Sequence, residues 1–177
     1  QEEDLMRRFG LDKPLFEQYL VYLGNLAQGD LGDSFRYRGT VTAQILKALP
    51  NTLYLTLSSL TLAYIVGVGG GIFMAARRGT RPERFGIVFT LMTRAAPEFW
   101  IGMLLLAYFA FDLRWFPSSG IAPAGKIYDN EIDKLLSPIF WKHLALPMFT
   151  MALYLHGLPL LLMRSNMLEI MSQDYIT

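Results

Sequence analysis

The chain has 177 residues, 53% of them apolar, and its 16 basic and 15 acidic residues leave a formal net charge of +1. This balance argues against a nucleic-acid partner, which would require a basic surface. The chain has no cysteine, which excludes disulfide frameworks and thiolate metal sites.

Residues 1–50 are predicted to contain two short amphipathic helices. Pro14 suits the first turn of the first helix and Gly29 its end, and apolar side chains recur between them near helical spacing at Leu15, Tyr19, Tyr22 and Leu26. Thr40 is expected to cap the second helix, and Pro50 to stop it. Its apolar face would carry Val41, Ile45 and Leu49 and lie along a membrane interface.

Three long apolar stretches follow, at residues 51–76, 86–111 and 144–163. The first contains no charged residue, and as an α-helix it would be about 39 Å long, more than the ~30 Å hydrocarbon core of a bilayer requires. The other two are also long enough to cross once. The sequence therefore predicts an all-α, polytopic membrane protein with three transmembrane helices.

The distribution of arginines predicts the orientation of these spans. The loop between the first two spans carries Arg77, Arg78, Arg81 and Arg84 against a single glutamate, and Arg164 closes the third span. By the positive-inside rule, residues 77–85 and 164–177 are predicted to be cytoplasmic. Residues 1–50 and an irregular outer loop, 112–143, would then lie outside.

Two stretches of the outer loop resemble ligand motifs but fall short of them. Residues 120–127 lack the hydroxyl side chain that a P-loop needs after its lysine, and Pro123 has no N–H for a phosphate. Asp129, Glu131 and Asp133 alternate as in a calcium loop, but Lys134 stands where that loop needs glycine. No catalytic, metal or cofactor site is predicted in this chain.

Ionisable groups at three positions in the spans, Arg94, Glu98 and His156, suggest a functional role. Arg94 and Glu98 are four residues apart inside the second span, where charges are costly unless they pair or face water. They form either a mutually satisfied ion pair or the polar lining of a solute path. His156, in the third span, allows the same two interpretations, and for a lone histidine structural hydrogen bonding is favoured.

Small and kinking residues in the spans predict close helix neighbours. Gly67 and Gly71 form a G-x-x-x-G pattern that lets another helix backbone approach. Pro97 and Pro159 each remove a helical hydrogen bond, so both spans are expected to kink.

The order and spacing of short motifs along the whole chain resemble one family of membrane proteins. They are LDKP at 11–14, QYL at 18–20, GDLGDS at 29–34, LPNTL at 49–53, AARRG at 75–79, APEFW at 96–100, LP at 146–147, RSNMLE at 164–169 and DYIT at 174–177. In this respect the chain is similar to the permeases of the dipeptide, oligopeptide and nickel ABC importers, of the B-subunit type.

The resemblance implies a partial type I ABC importer permease fold in a bacterial or archaeal cell membrane. It implies uptake of a peptide or similar small solute. The implied partners are a second permease subunit, two ATPase subunits, an extracytoplasmic binding protein and the lipid bilayer. ATP and Mg²⁺ would be bound by the ATPases. Arg94, Glu98 and His156 become candidates for the solute path, and the lead-in to the ATPase contact would contain Arg164, Glu169, Asp174 and Tyr175.

The same resemblance implies further spans before and after this sequence, so the chain is expected to be an internal fragment. Two other classes of function remain open. One is a structural or assembly subunit of a different membrane complex, in which the glycines and prolines serve packing alone. The other is an intramembrane enzyme, for which only Arg94, Glu98 and His156 would be available as reactive groups.

Overall fold

A computed structural model describes residues 13–34 and 36–173 of the chain. Over these residues the regular structure is helical, which confirms the predicted all-α class, and the only strand-like pairing among them is an isolated bridge between Asp33 and Thr40. The helices are α1 (Leu15–Ala27), α2 (Val41–Ala76), α3 (Arg81–Ala95), α4 (Glu98–Leu105), α5 (Glu131–Leu136), α6 (Pro138–Leu155) and α7 (Gly157–Met171), and a π-helix over Leu106–Asp112 continues α4.

The chain divides into two compact units, Gln1–Thr52 and Leu53–Thr177. In the described part of the first unit, α1 follows Pro14 and all of its large apolar side chains are exposed. Gly29 has a φ of 82°, a left-handed conformation that favours glycine and ends the helical segment. The structure thus has a helix where the spacing of Leu15 to Leu26 predicts one.

Helix α2 corrects the expectation that Pro50 ends a separate amphipathic helix. The Thr40 side chain caps α2, since its Oγ1 accepts a hydrogen bond from the Ala43 N–H at 3.3 Å, but the helix then continues through Pro50 to Ala76. Proline removes a single N–H donor, and Thr52 Oγ1 donates to the Ala48 carbonyl nearby at 3.3 Å. One proline inside a long apolar helix is therefore tolerated.

The predicted second span, 86–111, is not one gently kinked helix. Its helical segment begins earlier, at Arg81, and α3 and α4 meet at an angle of 103°. Two residues at the break are extended, Ala96 with ψ 140° and Pro97 with ψ 133°, and the residue before a proline commonly leaves the helical region in this way. The two helices together are either a broken span or a re-entrant loop by length and composition.

The predicted third span, 144–163, is longer than expected and bends in the middle. Helix α6 begins at Pro138, so the outer loop ends before residue 143, and α7 extends the helical segment to Met171. The bend of 42° lies at His156, just before Pro159, which has no N–H to donate to the Leu155 carbonyl. The described residues thus provide one helix able to span a membrane, or up to three if each bent pair is one span.

The two glycines of the G-x-x-x-G pattern lie where α2 packs against α7. A Cβ atom on Gly67 would be 2.7 Å from Pro159 Cγ and 2.8 Å from the His156 carbonyl oxygen. A Cβ on Gly71 would be 2.6 Å from the Leu160 carbonyl oxygen. These distances leave no room for a side chain, so the α2 backbone lies directly on the first turns of α7.

Large apolar side chains cover much of the outside of the helices. Examples on α2, α3 and α4 are at least half exposed, namely Leu57, Ile65, Phe85, Met92 and Phe99. In water such a continuous surface would be costly, whereas against lipid or neighbouring helices it is favourable. The exposed surface therefore agrees with a helical membrane protein.

Candidate functional site

A cleft of about 720 Å³ opens between the two bent segments of the larger unit, α3–α4 and α6–α7. This volume is within the range of about 300–1,000 Å³ that is usual for sites of small ligands. Its walls are mainly apolar and come from α2, α4, the π-helix, the loop after it and α6. The lining residues are Leu55, Glu98, Phe99, Gly102, Leu106, Pro117, Ser118, Ser119, Gly120, His143, Leu146, Pro147, Thr150 and Met151.

Glu98 is the one lysine, arginine, aspartate or glutamate among the described residues that line this cleft. It lies in the first turn of α4 because the helix restarts directly after Pro97, and the helix dipole there stabilises a negative charge. No hydrogen bond or ion pair joins its carboxylate to any residue that the structure describes. The cleft therefore contains a half-buried carboxylate that no described group of the protein engages.

The other polar groups of the cleft are partly engaged within the protein. His143 Nδ1 lies 3.3 Å from the Gly120 carbonyl oxygen, and Nδ1 must carry a proton to donate to it. Thr150 Oγ1 donates to the Leu146 carbonyl at 2.9 Å. The described residues include no group of three or more His, Asp or Glu side chains placed to hold a metal ion.

Arg94 does not share a helical face with Glu98, which corrects the i, i+4 relation assumed in the ion-pair interpretation. The break at Ala96 and Pro97 separates the two residues, and no ion pair between them is present in the described structure. The Arg94 stem lies instead on Gly157, where a Cβ would be 2.6 Å from Arg94 Cδ. Arg94 does not line the cleft that contains Glu98.

His156 also lies outside that cleft. Its side chain is 3% exposed, Nδ1 donates to the Leu153 carbonyl at 2.7 Å, and the ring lies 6.3 Å from the Phe89 ring. Together with apolar residues of α2, α3 and α6 it lines a smaller, almost wholly apolar cavity of about 140 Å³. These contacts are those expected of a structural histidine at a helix bend.

An ion pair that the sequence did not suggest joins the first turn of α3 to α7. Glu83 is 4% exposed, and Arg164 donates to its Oε1 through Nε, at 2.9 Å, and through Nη2. The second carboxylate oxygen accepts the Gly79 N–H at 2.6 Å. In the sequence, Glu83 is the single acid among the arginines of the loop, and this isolation is the one signal that indicates it.

A buried lysine between residues 112 and 143 is a second contact site that the sequence did not indicate. Lys134 is 6% exposed, its Nζ lies 3.3 Å from Glu131 Oε2, and it stands 5.1 Å and 5.3 Å from the ring centroids of Tyr54 and Phe140. The Tyr54 hydroxyl donates to the same Glu131 oxygen at 3.0 Å. This lysine cluster, comprising Tyr54, Glu131, Lys134 and Phe140, fastens α5 to α2 and α6.

The four residues predicted for the ATPase contact are only partly described. Arg164 and Glu169 both lie on α7, Arg164 against Glu83 and Glu169 at an exposed position near the end of the helix. Asp174 and Tyr175 lie outside the described residues. The structure therefore brings Arg164 together with Glu83.

Known proteins similar to this chain are permeases. It is 37% identical over 177 residues to the oligopeptide transport system permease protein AppB of Bacillus subtilis (strain 168), covering 98% of this chain and 53% of AppB. It is 36% identical over 190 residues to the di/tripeptide transport system permease protein DppB of Pseudomonas aeruginosa (strain UCBPP-PA14), covering 98% of this chain and 55% of DppB.

A third relative has a different named solute. The glutathione transport system permease protein GsiC of Escherichia coli (strain K12) is 30% identical over 174 residues, covering 98% of this chain and 51% of GsiC. The chain spans about half the length of the curated relatives it matches. Residues 67–177 match a family described as the binding-protein-dependent transport system inner membrane component, and the chain belongs to that family.

Proposed function

We propose that the full-length protein is a permease subunit of an ATP-driven importer of peptides or peptide-like solutes. The observation that carries this proposal is the similarity over 98% of the chain to permeases named for oligopeptide, di/tripeptide and glutathione transport. All three named solutes are peptides. The 720 Å³ cleft with one free carboxylate adds a space of suitable size for part of such a solute.

The working complex would contain partners on both sides of the membrane. A binding protein would deliver the solute from outside, a second permease subunit would complete the path, and two ATPase subunits would bind ATP and Mg²⁺ inside. The arginine-rich stretch 77–85 and the segment 164–177 would face the cytoplasm, as the positive-inside rule indicates. Glu169, Asp174 and Tyr175 would then lie close to the ATPase contact.

The bent helices would allow the solute path to open alternately to either side. Helices α3 and α4 join through two extended residues, and α6 and α7 join through a 42° bend. Such joints can absorb the change of direction when packed helices shift against one another. Of the path candidates, Glu98 would contact the solute in the cleft, whereas Arg94 and His156 would position the helices beside it.

Uptake in cells tests this function. We expect deletion of the full-length gene to abolish ATP-dependent uptake of radiolabelled di- and tripeptides, and the wild-type gene to restore it. A complex without its binding protein should show no such uptake. Undiminished peptide uptake in the deletion strain, with no other peptide importer present, would refute the proposal.

A further inference from the structure

We propose that the cleft selects solutes that carry a free ammonium group and that the Glu98 carboxylate binds this group. The inference rests on the proposed function, because the ammonium is taken to be the free amino terminus of an imported peptide. It goes further by assigning a charge preference and a contact residue to the permease itself. The occupant of the cleft is thus a small peptide that enters with its amino terminus at Glu98.

The charge distribution of the lining carries this inference. Among the described lining residues, Glu98 is the only Asp, Glu, Lys or Arg, and the described structure supplies no partner for it. A carboxylate that is partly withdrawn from water and unpaired favours a cation close to it. Because the remaining lining is chiefly apolar, the cleft suits a solute that presents one positive group to Glu98 and apolar groups to the other walls.

The arrangement favours an ammonium over a metal ion. A bound divalent cation would need several oxygen or nitrogen ligands, and the described residues offer no group of three or more such side chains. An ammonium needs only a few acceptors. The Glu98 oxygens and the Ser119 hydroxyl oxygen in the same lining are acceptors of that kind.

The local charge of the cleft can be measured in the full complex without any transport. The 177 residues contain no cysteine, so Ser118→Cys, with any cysteine elsewhere in the complex replaced, gives a single reporter in the lining. Its rates of reaction with a cationic and an anionic methanethiosulfonate reagent are compared. We expect Glu98→Gln to lower the cation-to-anion rate ratio by about tenfold, since it removes a nearby charge.

Two further variants make this measurement specific. Asp112→Asn removes the same charge at the end of the π-helix, outside the cleft lining, and should change the ratio less than about twofold. Glu98→Asp keeps the charge and should retain most of the wild-type ratio. Equal ratios in the wild type and in Glu98→Gln would overturn the inference.

Protection of the reporter identifies the group that binds. Trialanine at millimolar concentration should slow modification of Ser118→Cys severalfold, N-acetyl-trialanine should not, and neither should protect when Glu98→Gln is added. Equal protection by both peptides, or protection by Ni²⁺ but not by trialanine, would overturn the ammonium assignment.

ATP-driven uptake by the same complex, reconstituted in proteoliposomes, separates this inference from the proposed function. If peptide uptake is present but trialanine gives no Glu98-dependent protection, the charge selection is wrong and the importer function stands. If uptake is absent while the protection depends on Glu98, the charge selection stands and the importer function fails.

Discussion

Arg164 donates two hydrogen bonds to a single carboxylate oxygen of Glu83, a residue 81 positions earlier in the chain. The pair joins the first turn of α3 to the middle of α7, and the Gly79 N–H occupies the other oxygen of Glu83. Three donors, Arg164 Nε, Arg164 Nη2 and the Gly79 N–H, thus bind one buried carboxylate. This carboxylate holds the arginine-rich loop and α7 together. Breaking the Glu83–Arg164 pair should therefore lower the stability of the protein more than the loss of an exposed ion pair would.

We predict that Glu83→Gln lowers the apparent melting temperature of the detergent-purified full-length complex by several degrees. Removing the acid leaves the partly buried Arg164 guanidinium without its countercharge, which is the costly way to disrupt such a pair. In the double variant Glu83→Gln with Arg164→Met, the melting temperature should fall by less than the sum of the decreases in the two single variants. Here glutamine can still accept the Gly79 N–H, and no charge is left unpaired.

The matched control is Arg84→Gln, which removes an exposed charge next to Glu83 in the same helical turn. Its melting temperature should stay close to that of the wild type, as for most exposed charges. Strict additivity of Glu83→Gln and Arg164→Met would show that the two side chains do not act as a pair.

The second prediction compares two glycines of the same helix. Gly71→Ala should destabilise the protein by about 1–3 kcal/mol, because its Cβ would lie 2.6 Å from the Leu160 carbonyl oxygen, a backbone atom with little freedom to move. A Cβ on Gly69 would have no atom within 4 Å, so Gly69→Ala should be neutral or stabilise the helix by up to about 1 kcal/mol. Thermal unfolding of both variants in detergent measures the difference.

Equal effects of Gly71→Ala and Gly69→Ala would contradict the direct packing of α2 on α7. Crosslinking adds an independent check. A Cβ on Gly70 would lie 3.0 Å from Leu160 Cδ1, so cysteines introduced at these two positions should crosslink. They should lose crosslinking efficiency in the Gly71→Ala background, because the added methyl group forces the helices apart.

The sequence was sufficient for the features that depend on composition and on local spacing. Apolar runs such as 51–76 have no other stable form than helices in a membrane, and Gly67 with Gly71 marks a close helix approach whatever the partner is. The pattern did not identify the partner of these glycines, α7, because that depends on how distant segments pack. The Glu83–Arg164 pair and the lysine cluster were missed for the same reason.

Prolines illustrate the limit of local reasoning most clearly. Pro50, Pro97 and Pro159 each lack an N–H, yet α2 continues through the first, a 103° break lies at the second and a 42° bend precedes the third. The proline chemistry is identical at each position. Neighbouring contacts decide whether the lost hydrogen bond is tolerated, so the break between Arg94 and Glu98 was not predictable from their spacing of four residues.

The third prediction concerns the lysine cluster. Lys134→Gln should destabilise the protein by about 1–3 kcal/mol, since it removes a buried cation from the Glu131 carboxylate and from the Tyr54 and Phe140 rings. Lys142→Gln, at an exposed position on α6, should change the stability by less than about 0.5 kcal/mol. Thermal unfolding compares the two, and limited proteolysis between residues 113 and 137 should become faster in Lys134→Gln alone.

A similar loss of stability in Lys134→Gln and Lys142→Gln would mean that the net charge of the outer segment matters rather than the cluster. Unchanged stability of Lys134→Gln would show that α5 is held by its other contacts, such as the Trp141 Nε1 hydrogen bond to the Leu135 carbonyl at 2.7 Å.

The last prediction separates a structural from a solute-contacting histidine. His156→Leu should lower thermal stability, because it removes the Nδ1 hydrogen bond to the Leu153 carbonyl at the helix bend, but the apparent KM for peptide uptake should stay within about twofold of the wild type. Glu98→Gln should do the reverse, with stability near that of the wild type and a KM raised about tenfold. These opposite outcomes follow from position, since Glu98 lines the 720 Å³ cleft and His156 the separate 140 Å³ apolar cavity. A large rise in KM with unchanged stability for His156→Leu would instead place the histidine on the solute path and make the smaller cavity part of it.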